Sequence, residues 1–286
     1  MLSGELAGNC RSPSHNGSGV LPDGEASGMD WNGQVAVVTG GSRGIGAAIT
    51  RQLAARGAAV GINYMTRAME AEALRADIDA AGGRAALLQA DVADPAAVTA
   101  MLAKAEAELG PVSILVNNAG VSASATLESY DPAALERMRE VNVNGVIHTV
   151  RAVMAGMKTR GYGRIVNIAS NAATGTALPG TTFYAATKAE VLILTRRFAM
   201  ELGRSGITVN AICPGWIVTD MARRGASEEA FTQRVASMRD RTMVGRVGAP
   251  EDIAVAVAFL ADPDAGFVTA QVLTVDGGRM DYIGHS

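Results

Sequence analysis

From Gln34 onward, short apolar runs alternate with longer segments of 3.6-residue period. Val35-Ala36-Val37-Val38 is unbroken and β-prone, the pattern of a strand covered on both faces. Gly44 to Arg56 carries a helical period that Gly57 ends. Ala59 to Asn63 reads as a second strand, followed by an Ala/Glu-rich helix to about Ala81, and Ala85 to Gln89 as a third strand. Pro95 opens the next helix, where its missing N–H costs little. Ser113 to Val116 is a fourth strand, and Pro132 opens a long helix to about Lys158. Arg164 to Ile168 gives a fifth strand and Thr181 to Arg204 a helix. Ile207 to Ile212 and Val272 to Val275 give the sixth and seventh strands. Strands alternating with crossover helices predict an α/β chain with one doubly wound parallel sheet and helices on both faces. In such a sheet, ligands bind at the carboxyl ends of the strands.

Composition narrows the picture. Hydrophobic residues make up 48% and aromatics 4%, with 33 glycines in 286 residues, as expected of helices packed closely on a sheet. A net charge of -3 argues against a dedicated nucleic-acid binder. Cys10 and Cys213 are far apart, with no metal-ligand spacing, which predicts a reducing, cytoplasmic setting. No apolar run approaches the ~18 residues of a membrane span. Residues 1–30 are rich in turn formers and lack the apolar region of a secretory signal. They read as a disordered extension ahead of a single domain over 31–286.

Two local patterns carry chemistry. Thr39-Gly40-Gly41-Ser42-Arg43-Gly44-Ile45-Gly46 follows the first strand and opens a helix. Its glycines permit a tight turn and close approach to a pyrophosphate, which the free N–H groups of the helix would hold. Tyr184 and Lys188 lie one helical turn apart on one face. A free phenol has a pKa of about 10. A cation at about 4 Å, at an effective dielectric of about 20, is worth about 4 kcal/mol. That is enough to bring the phenol near neutrality, where it can act as acid and base.

The Thr-Gly-x-x-x-Gly-x-Gly spacing, Asn117-Asn118-Ala119-Gly120, Tyr184-x-x-x-Lys188 and Pro214-Gly215 together resemble the short-chain dehydrogenase/reductase family. Gly245-Arg246-Val247-Gly248 with Pro250-Glu251-Asp252, then Val275-Asp276-Gly277-Gly278, extend the likeness over about residues 32–280. The resemblance implies a Rossmann-type fold of about seven strands and a dinucleotide in the glycine turn, at Gly40, Ser42, Arg43, Gly44, Ile45 and Gly46. Asp91 and Val92 would contact adenine, and Asn118, Ala119 and Gly120 the adenosine ribose. Asn142 matches a helix asparagine that holds a water in a proton relay, with Asn144 its competitor. Ser170 matches the catalytic serine beside Tyr184 and Lys188, and both Tyr184 and Lys188 would also border the cofactor, Lys188 bonding the nicotinamide ribose hydroxyls. Pro214, Gly215, Ile217 and Thr219 would border the nicotinamide, Thr219 bonding its carboxamide. Nothing in the likeness calls for a metal.

After the second strand, Asn63-Tyr64-Met65-Thr66-Arg67 contains no carboxylate to bond a ribose 2′-OH; Asn63, Tyr64 and Arg67 are expected at the cofactor, and Arg43 and Arg67 suit a 2′-phosphate. The expected cofactor is therefore NADP(H). Overall the chain is most similar to 3-oxoacyl-[acyl-carrier-protein] reductases, which implies a homotetramer and an acidic acyl carrier protein as partner, docking on Arg160, Arg196, Arg197 and Arg204. A sugar or polyol dehydrogenase is the alternative; a non-catalytic dinucleotide sensor is a remoter one, having no need of the catalytic residues. Three departures stand out. The Ser170–Tyr184 loop is one residue longer than usual, Glu190 replaces a Gly or Ala, and Ala270 replaces a glycine. Met221 to Met243 is polar, with Arg223, Arg224, Glu228, Glu229, Arg239, Asp240 and Arg241, and reads as a mobile lid.

Overall fold

The computed structural model describes residues 31–223 and 225–283, so the expected extension and Arg224 lie outside the described residues. Seven parallel strands form one sheet: β1 (Val35–Val38), β2 (Ala59–Tyr64), β3 (Ala85–Gln89), β4 (Ile114–Asn117), β5 (Gly163–Ile168), β6 (Ile207–Pro214) and β7 (Val272–Val275). Their spatial order is β3-β2-β1-β4-β5-β6-β7, the doubly wound Rossmann-type arrangement. The order reverses between β1 and β4, which leaves a crevice at the carboxyl ends there.

Each strand alternates between two cores. Val35 and Val37 of β1 face α3 (Pro95–Leu109), α5 (Gly145–Arg160) and α6 (Thr182–Leu202). Ala36 and Val38 face α1 (Gly44–Ala55), α2 (Ala68–Ala80) and α9 (Pro250–Leu260). Burial on both faces is why β1 reads as a continuous apolar run. Inside this core a polar chain joins two helices through the sheet. Thr149 Oγ1 donates to Asn117 Oδ1 at 2.7 Å, Asn117 Nδ2 to Asn167 Oδ1 at 2.9 Å, and Asn167 Nδ2 to Thr195 Oγ1 at 2.9 Å. Asn117 and Asn167 are register partners in β4 and β5, so each buried amide meets the other and orphans none of these groups.

The helix expected from Pro132 to Lys158 is three pieces. α4 (Pro132–Arg139), capped by Asp131, passes into a π-helical turn over Glu140–Asn144 before α5 begins at Gly145. The wide turn carries Asn142, whose Oδ1 accepts the Val121 N–H at 2.8 Å while its Nδ2 donates to Val121 O and Thr187 Oγ1. Such turns gather at functional sites, and no apolar period announces one. Gly145 follows because a Cβ there would sit 2.8 Å from Val92 Cγ2.

The departure at Ala270 has a backbone consequence. Its φ is 61°, the only positive value at a non-glycine among the described residues. A left-handed alanine costs about 1–2 kcal/mol, which accounts for the glycine usual at this position. The polar segment after β6 contains α7 (Asp220–Arg223) and α8 (Glu228–Arg239). Among the described residues, no helix is long and apolar enough to cross a membrane.

Candidate active site

β1 ends at Val38, and the chain turns through residues 39–43 into α1. Gly40 and Gly44 take φ of 59° and 52°, values that disfavour any side chain. At Gly46 the constraint is contact: a Cβ would lie 2.1 Å from the Gly40 carbonyl oxygen. Side chains at the carboxyl ends of β1, β2 and β4 lock the turn. Asn63 Oδ1 accepts the Gly40 N–H at 3.0 Å, and its Nδ2 donates to Leu88 O and Ala90 O. Asn118 Nδ2 donates to the Thr39 and Gly40 carbonyls. Thr39 Oγ1 accepts the N–H groups of Asn118 and Ala119 at 2.9 and 3.0 Å. No side chain caps α1, and its first residues Gly44, Ile45 and Gly46 line the cleft. Their backbone donors, at the positive end of the helix dipole, suit an anion.

Ser170 follows β5 and starts a 3₁₀ turn (Asn171–Thr174), its Oγ accepting the Ala172 N–H at 3.2 Å. Ser170 also hydrogen-bonds the Tyr184 phenol across the loop. Lys188, only 4% exposed, donates from Nζ to the Ile168 carbonyl at 2.8 Å and lies 5.9 Å from the Tyr184 ring centre. A Cβ on Gly120 would come within 3.3 Å of Asn142 Oδ1 and 3.4 Å of Lys188 Nζ, so the glycine keeps the space before both open.

The electrostatics correct one expectation. Lys188 does not bring Tyr184 near neutrality. Burial pushes the phenol up to about 12, an effect the Ser170 hydrogen bond reduces and Cys213 adds to. Burial also pushes Lys188 down to about 8, against an opposing effect of Cys213. Desolvation disfavours the charged form of each group and is the largest cause of both shifts. Cys213 itself is held up at about 11, burial again leading, against a hydrogen bond from the Ser170 backbone.

Around these groups opens a cleft of about 660 Å³ at the carboxyl ends of the strands. It brings together Gly40, Arg43, Gly44, Ile45, Gly46, Asn118, Ala119, Gly120, Ser170, Tyr184, Lys188, Pro214, Gly215, Ile217 and Thr219. Ser42, Asn63, Tyr64, Arg67, Asp91, Val92 and Asn142 do not line it. Asn63 is 2% exposed and engaged within the protein, so it shapes the glycine turn from behind rather than facing a ligand. Arg67 pairs with Glu70 at 2.9 Å and Arg43 with Asp220 at 3.2 Å, so both expected phosphate ligands have carboxylate partners. Asp91 pairs with Arg137 at 3.0 Å. Although partial burial works to raise its pKa, the Ala93 N–H and Arg137 hold it below the usual carboxylate range. Sequence reading missed Trp216, Arg234 and Arg279 in the cleft wall. Trp216 was within reach, since it directly follows Pro214-Gly215, whereas the arginines come close only through folding.

A Rossmann-type sheet whose switch-point cleft holds a glycine turn, a serine, a tyrosine and a lysine defines a dinucleotide-dependent oxidoreductase. Residues 40–279 match the family model described as enoyl-(acyl carrier protein) reductase. The chain is 39% identical over 250 residues to the 3-oxoacyl-[acyl-carrier-protein] reductase of Escherichia coli, covering 87% of this chain and 98% of that protein. A short-chain dehydrogenase/reductase from Serratia marcescens is 40% identical with a TM-score of 0.79, covering 86% of this chain and 98% of that one. A blue fluorescent protein from a metagenomic library, solved in complex with NADPH, is 42% identical with a TM-score of 0.79 over the same shares. The chain belongs to the short-chain dehydrogenase/reductase family and is an oxidoreductase.

Proposed function

We propose that the protein is a cytoplasmic NADP(H)-dependent reductase of 3-oxoacyl thioesters, with residues 31–286 as its catalytic domain. The observation that carries this reading is the Ser170–Tyr184–Lys188 cluster beside the uncapped start of α1. The glycine turn fits a dinucleotide: Gly40, Gly44 and Gly46 bring bare backbone to the cleft, and Gly120 leaves room that a Cβ would fill. When bound, the nicotinamide supplies the hydride. Ser170 and Tyr184 hydroxyls hold the carbonyl oxygen and stabilise the alkoxide charge that develops on it. Tyr184 then delivers its proton, and a raised phenol pKa keeps that proton in place until it is needed. Lys188 places a cation near the emerging phenolate. Asn142 positions both Val121 and Thr187, the residue before Lys188.

NADP(H) is favoured because β2 is followed by Arg67 and no carboxylate, with Arg43 at the mouth of the glycine turn. The relative solved with NADPH supports the same choice. Arg43→Ala is expected to raise the KM for NADPH about tenfold or more and to change that for NADH less than twofold, given the ~1.5–3 kcal/mol of a charge-assisted hydrogen bond. Steady-state kinetics with both cofactors checks it, and an equal effect on the two would remove Arg43 from the 2′-phosphate site.

The thioester reading draws on the likeness to the Escherichia coli reductase. Exposed Arg196, Arg197 and Arg204 on and after α6 lack carboxylate partners among the described residues and offer a cationic face to an acidic acyl carrier protein. Arg160 is engaged by the Val112 carbonyl. Ile193 and Met200, exposed on α6, suit burial in a homotetramer, while Glu190 on that helix pairs with Arg139. NADPH oxidation against acetoacetyl thioesters, sugars and simple ketones tests the substrate. The thioesters are expected to show the highest kcat/KM, and a clear preference for sugars would overturn that part of the reading.

A further inference from the structure

α8 is anchored on the body of the protein by Phe231 and Met238, which are 5% and 4% exposed, and Phe231 packs against Trp216 with ring centres 5.9 Å apart. Helical spacing puts Arg234 between those two anchors, three residues after one and four before the other. Arg234 itself is exposed, on the side of the helix that borders the cleft. It lines the cleft beside Trp216, Met221 and Ala222.

The other cations of the cleft wall are already engaged. Arg43 pairs with Asp220, Arg279 with Asp281, and Lys188 is buried on the Ile168 carbonyl. Arg234 alone among them has no hydrogen bond or ion pair within the described residues. Asp220 is the sole carboxylate of the wall, and Arg43 neutralises it. The cleft therefore carries an uncompensated guanidinium, a fork of donors shaped for carboxylate or phosphate.

We infer that Arg234 forms an anion subsite at the cleft wall and selects carbonyl substrates that carry a carboxylate or a phosphate. This rests on the reductase reading above and specifies its substrate class. The guanidinium binds the anionic end of the substrate while Ser170 and Tyr184 take its carbonyl oxygen. Closure of α8 over the cleft then couples recognition of charge to exclusion of water.

Three substrates sharing one carbonyl group separate the sources of charge: acetoacetate, acetoacetyl-CoA and the neutral N-acetylcysteamine thioester of acetoacetate. In Arg234→Ala, KM is expected to rise about tenfold or more for each anionic substrate the site accepts, the size of one lost charge-assisted hydrogen bond. The neutral thioester should change less than twofold. A rise for acetoacetate alone identifies a carboxylate, and one for acetoacetyl-CoA alone a phosphate. Arg234→Lys should recover part of the loss. Calorimetric titration of acetoacetate and of acetoacetyl-CoA into wild type and Arg234→Ala gives the same contrast without turnover. Wild type that binds these anions through Arg234 but reduces no carbonyl refutes the reductase reading and leaves the subsite standing. Equal Kd and KM in the two proteins, or an equal loss on the neutral thioester, overturns the subsite.

Discussion

Tyr184→Phe is expected to lower kcat by about 10²–10⁴-fold, the usual contribution of a positioned general acid. The substitution removes one oxygen and keeps the ring that packs in α6. The phenol is bonded by Ser170 and held up at about 12, so in the free protein it is fully protonated across the neutral range. Phenylalanine can neither donate that proton nor hold the carbonyl oxygen, and among the described residues no hydroxyl other than that of Ser170 hydrogen-bonds this position. Binding of NADPH should change little, because the glycine turn is locked by Thr39, Asn63 and Asn118, none of which touches Tyr184. Single-turnover kinetics with a fluorescence titration of NADPH checks both halves. Substantial turnover in this variant would remove Tyr184 from the assigned role.

The second large effect is in the pH dependence of carbonyl reduction. Burial lowers the pKa of Lys188 to about 8, so its charge is complete well below that pH and is lost as pH rises through it. The profile of kcat/KM reports the free enzyme. It is therefore expected to be level on the acid side and to fall about tenfold per pH unit above about 8, as the cation beside the emerging phenolate disappears. Tyr184 adds no second limb below that, since its own loss of a proton lies near 12. Lys188→Met should lack the limb and retain only a small fraction of the activity. Lys188→Arg keeps its charge at every accessible pH and should carry the limb out of range. A limb near pH 8 that persists in Lys188→Arg belongs to another group.

Much of this architecture is legible along the chain. All seven strands were readable because central parallel strands are apolar on both faces and end at turn formers, and β3 and β7 have the bounds their residues predict. The glycine turn was readable because φ above zero at Gly40 and Gly44 is a backbone demand that few other residues meet. Tyr184 and Lys188 were readable from their spacing, and Ser170 through the family resemblance. The break at Glu140–Asn144 was not, because the widened turn is held by Val121 and Thr187, distant residues that no local period reports. The partner of Arg43 was equally hidden, since Asp220 lies 177 positions away, whereas Glu70 is only three residues after Arg67.

The sequence by itself determined the order of strands and helices, the crevice, and the residue types gathered at it, since period, turn chemistry and motif spacing are local properties of the chain. Only the tertiary structure decided what those residues experience. It turned Asn63 inward to lock the glycine turn, and it left Arg234 at the cleft wall without a partner among the described residues. It also raised the Tyr184 pKa rather than lowering it, because desolvation depends on everything packed around a group and not on the one neighbour that spacing reveals.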